Sequence, residues 1–418
     1  MLHVENMRGS DAAQWDGWLR QSPGGGHALQ TYAWGEVKRT QGWTPVRVAL
    51  KDGTRVAGVA QMLVRDAPGV TGALAYCPKG PWIDWSQADH ARIMLGGMEH
   101  FARRWGAFIL KVESEALSGP GQPRRVPPSV EEPLGHLIAA ARRPCPGSGA
   151  RHESAALTTQ EEDTRVAAAR AAILAARATP AASAQHPGRA VFTERGYVKA
   201  RWDPQFRTTM VVDLDRSPTE MLARMKSKWR YNIALAQRKG VTVVADNRPA
   251  ARRTLYEMHR RTAQRDGFVP RRKAYVDAAW DTMIDAGHAH IFFAYHHGRP
   301  LAGLLAYTFG QKVWYQVGAS ETEGRHVMPA HLLQFHVMHW AWERGMTYYD
   351  LVAIPNAETI SARDSLWGLY VFKAGFGGRP VEWAGCLDKV LDPRGHAWEA
   401  LEPVYYRLYK WCVKDALY

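Results

Sequence analysis

The sequence predicts an α/β (α+β) fold made of two copies of one mixed-sheet unit, and three observations predict it. First, strand-like apolar runs alternate with segments of helical periodicity along both halves of the 418 residues, a length suited to two or three domains. Second, a hairpin in the first half, Lys51-Asp-Gly-Thr54 followed by Val56-Ala-Gly58, has a counterpart in the second, His297-Gly-Arg299 followed by Leu301-Ala-Gly303. Third, each half continues with a further strand, a loop containing Gly and Pro, and a helix ending at Trp105-Gly106 or Arg344-Gly345. An apolar strand then follows, and the offset between the halves is about 240 residues. The order of helices, antiparallel meander, helix and strand is that of an acyltransferase-type mixed sheet, which does not by itself fix a function.

Each element has a local reason. Ser10 is expected to cap a helix carrying Trp15, Trp18 and Leu19, and Thr31 a second carrying Tyr32, Trp34, Val37 and Lys38. Strands are expected over 43–50, 56–64, 74–77 and 108–112, with a helix over 87–105. Residues 1–10 read as polar, with no apolar run. Residues 119–190 are dominated by Ala, Pro, Gly and Arg and read as a flexible insertion, with 165–177 as an Ala-rich helix. In the second half, Ser217-Pro-Thr-Glu220 forms a capping box. The helix after it is expected to run unbroken through Leu222, Met225, Trp229, Ile233 and Ala236 to Gly240. Residues 208–214 lead into this half, and strands are expected after the helix at 241–245, 289–295, 301–308, 313–317 and 348–354, with helices at 250–264 and 273–286. Pro329 suits a first helical turn and Gly345 a left-handed cap, bounding a helix over 329–344.

Composition narrows the function. The net charge is +14, from 54 Lys plus Arg against 40 Asp plus Glu, and such an excess suits a polyanionic partner. Two windows concentrate it: Arg224 to Lys239 holds six cations and no acid, and Arg260 to Lys273 holds six cations and one acid, Asp266. The four cysteines have neither metal nor redox spacing, so reduced thiols and no metal are expected. No stretch approaches the ~18 apolar residues of a membrane span and nothing reads as a secretory signal, so a cytoplasmic protein is expected.

Several stretches, in order, resemble the FemABX family of non-ribosomal peptidyltransferases. They are Gln30-Thr-Tyr-Ala-Trp-Gly35 with Lys38 and Trp43; Lys226-Ser-Lys-Trp-Arg-Tyr-Asn-Ile233; and Arg265-Asp-Gly-Phe268 with Arg271 and Tyr275. Further along come Tyr315-Gln-Val-Gly-Ala-Ser320, Pro329-Ala-His-Leu-Leu333, Trp340-Ala-Trp-Glu-Arg-Gly345, Tyr348-Tyr-Asp-Leu351 and Phe372-Lys-Ala-Gly-Phe-Gly-Gly378. The resemblance implies two GNAT-like domains, 1–205 with 378–418 and 206–377, in the compact form without a coiled-coil arm. It implies transfer of glycine, alanine or serine from aminoacyl-tRNA to the stem-peptide amine of a nucleotide- or lipid-linked peptidoglycan precursor.

No cofactor beyond the tRNA co-substrate is implied. A monomer working at the inner face of the membrane is expected, with the basic windows available to tRNA phosphates.

By that pattern Lys38 would contact the precursor's phosphates or sugar and Arg271, with Arg272 as its alternative, the diphosphate, and Tyr275 and Tyr315 would line the same groove. Lys373 would stabilise the oxyanion of the attacked ester or hold tRNA phosphates. Glu113, where the family often has Asp-Pro, would accept or orient the amine proton. The competing readings are an acetyl-CoA-dependent N-acetyltransferase, a non-catalytic RNA-binding protein, and tRNA-dependent transfer to a protein or lipid. The loop Gly324-Arg-His-Val-Met-Pro329 lacks the closely spaced glycines of a CoA pyrophosphate cradle, which argues against the first.

Overall fold

The computed structural model describes residues 1–115, 159–177 and 187–413. Among the described residues fourteen strands form two seven-stranded sheets. The strands are β1 (Leu2–Asn6), β2 (Thr44–Asp52), β3 (Arg55–Asp66), β4 (Ala73–Cys77), β5 (Ala107–Glu113), β6 (Val198–Lys199) and β7 (Thr208–Asp213). They continue with β8 (Thr242–Ala245), β9 (Ala289–His296), β10 (Arg299–Phe309), β11 (Lys312–Ser320), β12 (Tyr348–Ala353), β13 (Arg379–Glu382) and β14 (Cys386–Val390).

The first sheet has the order β1-β2-β3-β4-β5-β14-β6 and the second β13-β7-β12-β11-β10-β9-β8. One neighbouring pair in each is parallel, β4 with β5 and β11 with β12, and the rest are antiparallel. A parallel pair needs a crossover, and the helices Ala88–Arg104 and Pro329–Glu343 supply it. The internal repeat read from the sequence is therefore a repeat of sheet topology. β14 pairs with β5, so the chain returns to the first sheet at its C-terminal end. Arg379–Glu382 remains with the second sheet, because β13 covers the open edge of β7 (Val381 opposite Thr209).

Four details differ from the sequence reading. Leu2–Asn6 is an edge strand on β2, and Asp11 rather than Ser10 caps the first helix, Ala12–Gln21. The helix expected to run on from Ser217 breaks into Pro218–Arg224 and Ser227–Arg238, because Met225 and Lys226 are extended and the Lys226 N–H bonds Gly375 O. Part of the expected insertion is ordered. The helix Thr159–Arg177 buries Ala169 and Ile173 in the core of the second domain, and Arg170 donates to Ile360 O at 3.2 Å. Small side chains let this helix lie close. The rest of that insertion, 119–158 and 178–186, lies outside the described residues.

The two domains share one apolar interface. Trp15, Leu19, Leu29, Trp34 and Trp82 of the first pack with Leu255, Val276, Trp280, Phe309 and Trp314 of the second. Polar links cross it, among them the Asp16–His288 pair at 2.9 Å and the buried Lys312 Nζ donating to Gly26 O at 2.9 Å. Gly26 has φ +77, and a Cβ there would meet Leu19 and Phe309 side-chain atoms at 2.6 and 2.7 Å, so only glycine fits this approach. The cleft left beside this interface holds the site.

Candidate active site between the two domains

A cavity of about 370 Å³ opens where the domains meet. The first domain contributes His27, Lys38, Lys79 and Glu115, and the second contributes His259, Arg271, Tyr275, Trp314 and Asp350, with Gln205 and Phe206 from the segment joining them. A pocket of this kind, apolar with a few converging polar groups, is the expected form of a small-ligand site.

One part of the lining is cationic and aromatic. Thr31 caps the helix Tyr32–Arg39 and directs Lys38 inward, where it is buried. The Lys38 ammonium lies 5.1 Å from the Trp34 ring and 5.5 Å from the Tyr275 ring. Arg271 lies 5.0 Å from the Tyr275 ring, on the loop before the helix Lys273–Asp285. Two cations on one aromatic from opposite domains make a ready seat for a phosphorylated group. The indole N–H groups of Trp34 and Trp314 are buried with no hydrogen-bond partner among the described residues, leaving two donors in the lining for a ligand.

The other part is acidic. Glu115 is buried; its Oε1 is 3.4 Å from both His27 Nε2 and Lys79 Nζ, and its Oε2 has no hydrogen-bond partner among the described residues. His27 is held in one tautomer, because its Nδ1 accepts the Leu29 N–H at 2.9 Å and the proton must sit on Nε2. Burial, then the charges of Lys79 and Lys312, hold His27 well below the usual histidine range, so it is neutral. Asp350, also on the cavity, is raised to about 7 by burial and by the Glu115 charge.

Backbone geometry brings Lys373 to this place. β11 and β12 pair only from Lys312–Tyr348 to Trp314–Asp350, then part. Beyond Asp350 the β12 register breaks, and Val352 adopts φ +58, a conformation unfavourable for a β-branched residue. The Asp350 carboxylate pins it by accepting the Val352 N–H at 2.7 Å. The next carbonyl, Ala353 O, accepts from Lys373 Nζ at 2.7 Å. Lys373, on the helix Trp367–Ala374, is buried with its ammonium 5.9 Å from the Tyr315 ring. Burial lowers Lys373 to about 7, against the opposing pull of Asp350. Strain at Val352 thus couples a cavity carboxylate to a buried lysine in the gap between two splayed strands.

Of the residues singled out from the sequence, Lys38, Arg271 and Tyr275 fall on the cavity. Tyr315 and Lys373 sit together behind Asp350, Tyr315 packing against the second domain's core. Arg272 is an exposed neighbour of Arg271. Glu113 does not line the cavity: its carboxylate accepts from the Tyr76 hydroxyl and from the Gln205 N–H at 3.1 Å, within the first domain. The carboxylate on the cavity is Glu115, two residues further, past the end of β5. Sequence reasoning also passed over His27, Lys79 and Asp350. Among the described residues no group of three or more His, Cys, Asp or Glu could hold a metal ion.

Two mixed sheets of this order, each with one parallel pair, make a tandem GNAT-like fold. Residues 223–359 match the Acetyltransferase (GNAT) domain, and residues 11–118 match the FemAB family. Relatives include the lipid II:glycine glycyltransferases of Staphylococcus aureus strains MRSA252 and USA300, each 22% identical over 99% of this chain and 97% of the relative. The crystal structure of FemX superposes with a TM-score of 0.71 at 19% identity, covering 95% of this chain and 100% of that one. The FemAB match over residues 11–118 and these relatives along nearly the whole chain support the resemblance to the FemABX family.

Proposed function

We propose that this protein moves an amino acid from aminoacyl-tRNA onto the stem-peptide amine of a lipid-linked peptidoglycan precursor, with glycine the first candidate. The observation that carries the reading is the single cavity joining the Lys38–Tyr275–Arg271 cluster to the Glu115–Asp350 cluster across two domains. Relatives named for glycine transfer to lipid II support both the acceptor and the amino acid.

The chemistry follows from the residues. Lys38 and Arg271 hold the precursor's diphosphate and so fix the depth at which its stem enters. The neutral stem amine attacks the ester carbonyl of the aminoacyl group. A carbon–nitrogen bond forms, negative charge develops on the carbonyl oxygen, and the ester carbon–oxygen bond then breaks. Glu115 Oε2, the unpartnered buried acceptor, takes the proton the amine releases. His27 and Lys79 hold Glu115 from its other oxygen. Protonated Lys373 stabilises the oxyanion and supplies a proton to the departing ribose oxygen; its position in the β11–β12 gap suits the donor's carbonyl.

An acetyl-CoA reading lacks comparable support. The helix after the corresponding loop opens with Pro329, which has no N–H for a pyrophosphate, and Met328 before it is left-handed.

The test is transfer of radiolabelled amino acid from charged tRNA to a lipid-linked precursor by the wild type and by Glu115→Gln. Label on the precursor, lost in the variant, supports the reading. No transfer by folded wild-type protein from any charged tRNA refutes it.

A further inference from the structure

The mouth of the cavity carries exposed apolar side chains beside a run of cations. Gly267 ends the helix Pro249–Asp266 in a left-handed cap (φ +76) and throws the next residues outward. Phe268 and Val269 follow, 42% and 56% exposed, then Pro270 and the run Arg271-Arg-Lys273. Phe268 leans on the ring of His259 (centroids 5.3 Å apart), and His259 itself lines the cavity. Phe206, 51% exposed, lines the cavity from the segment joining the domains. Single exposed apolar residues are ordinary, but here Phe206 lines the opening, and Phe268, with Val269 next to it, leans on another lining residue from a separate segment of the chain.

Apolar tips with cations directly behind them match the boundary of an anionic bilayer, in which hydrocarbon receives the tips and headgroup phosphates receive the cations. We propose that the loop 267–273, with Phe206, docks the cavity mouth onto an anionic membrane surface. The inference rests on the reading of the cavity as the seat of a lipid-linked acceptor. It adds the direction of entry: the diphosphate, anchored in the membrane by its lipid, meets Arg271 at headgroup depth while the stem peptide reaches inward to Glu115. An RNA partner fits this patch less well. Val269 offers no face for stacking, and the acid-free window Arg224 to Lys239 lies on another element, the helix Ser227–Arg238 and its flanks.

The experiment is co-sedimentation of the full chain with phosphatidylcholine vesicles, with and without phosphatidylglycerol. The wild type is compared with the double substitution Phe268→Ser and Val269→Ser, and with Val269→Asp alone should the double variant fold poorly. Transfer is measured in parallel on a precursor embedded in the same vesicles and on one made water-soluble by shortening its lipid. The wild type should pellet with the anionic vesicles, and the variant should bind them at least about tenfold more weakly. The variant should also lose transfer to the embedded acceptor and keep transfer to the soluble one. Equal pelleting of wild type and variant, no pelleting of the wild type, or a defect seen only in tRNA binding would overturn the proposal. Vesicle binding that depends on Phe268 and Val269, with no transfer to either acceptor, would leave the docking surface standing and reject the functional reading instead.

Discussion

Replacing Lys373 with methionine tests the chemistry with little disturbance of the fold. The ammonium is buried, donates to Ala353 O at 2.7 Å, and is lowered to about 7 by its burial. Methionine fills a similar volume and removes an amine that is unfavourable to bury. It leaves Ala353 O without its donor, which costs about 1–3 kcal/mol, offset by the relief of desolvation. Folding stability should therefore change by no more than about 2 kcal/mol. Catalysis should change far more. A fixed donor acting on charge that exists only in the transition state contributes ~3–4 kcal/mol, or about a hundred- to a thousandfold in kcat. Because the interaction is absent in the ground state, KM for the precursor should stay within about threefold. The assay is single-turnover transfer from charged tRNA, with urea unfolding alongside. Transfer within about threefold of wild type would remove Lys373 from the mechanism. An equal loss in kcat and in stability would make it a structural lysine.

Other outcomes follow from the same geometry. Glu115→Gln should lower kcat by about a hundred- to ten-thousandfold. Glu113→Gln should mainly lower the melting temperature, since its partners are the Tyr76 hydroxyl and the Gln205 N–H. Lys38→Ala and Arg271→Ala should each raise KM for the precursor by about 1.5–3 kcal/mol, roughly ten- to a hundredfold, with a smaller effect on kcat. In pH–rate profiles, Asp350→Asn should move the alkaline limb to lower pH. The Asp350 charge raises Lys373, so its removal lets the ammonium deprotonate earlier. Lys111→Met should destabilise the fold by about 3–5 kcal/mol in urea unfolding, because Asp388 at 2.8 Å and Glu402 at 3.0 Å would be left buried without their shared cation.

What could be read from the sequence was what local spacing encodes. The tandem repeat was visible because hairpin turns, glycine stops and apolar runs recur in the same order; β1, β6, β13 and β14 lie outside that repeat and were not read. The family wording pointed to Lys38, Arg271 and Tyr275, and the fold gathers these three on one cavity although Lys38 lies far from the other two in the chain. Other features depended on where the chain goes. Val-Glu-Ser-Glu115 offers two carboxylates, and which one reaches the cleft depends on β5 ending at Glu113 so that the following turn carries Glu115 onward. The apolar spacing from Leu222 to Ala236 is continuous, but a distant carbonyl, Gly375 O, captures the Lys226 N–H and divides the helix. The helix Thr159–Arg177 has few large apolar residues, and its packing rests on Ala169 and Ile173 meeting a surface supplied by the second domain. The strain at Val352 had no sequence signal, because it comes from the parting of β11 and β12.

The most direct test of the central claim is the mass of the acceptor. The protein is incubated with mixed charged tRNA, acetyl-CoA and a lipid-linked precursor, and the precursor is then analysed by mass spectrometry with fragmentation of the stem peptide. The account predicts a mass gain of one amino-acid residue located on the stem's side-chain amine, dependent on charged tRNA. A gain of an acetyl group, or an unchanged precursor in the presence of folded protein and every charged tRNA, would contradict it.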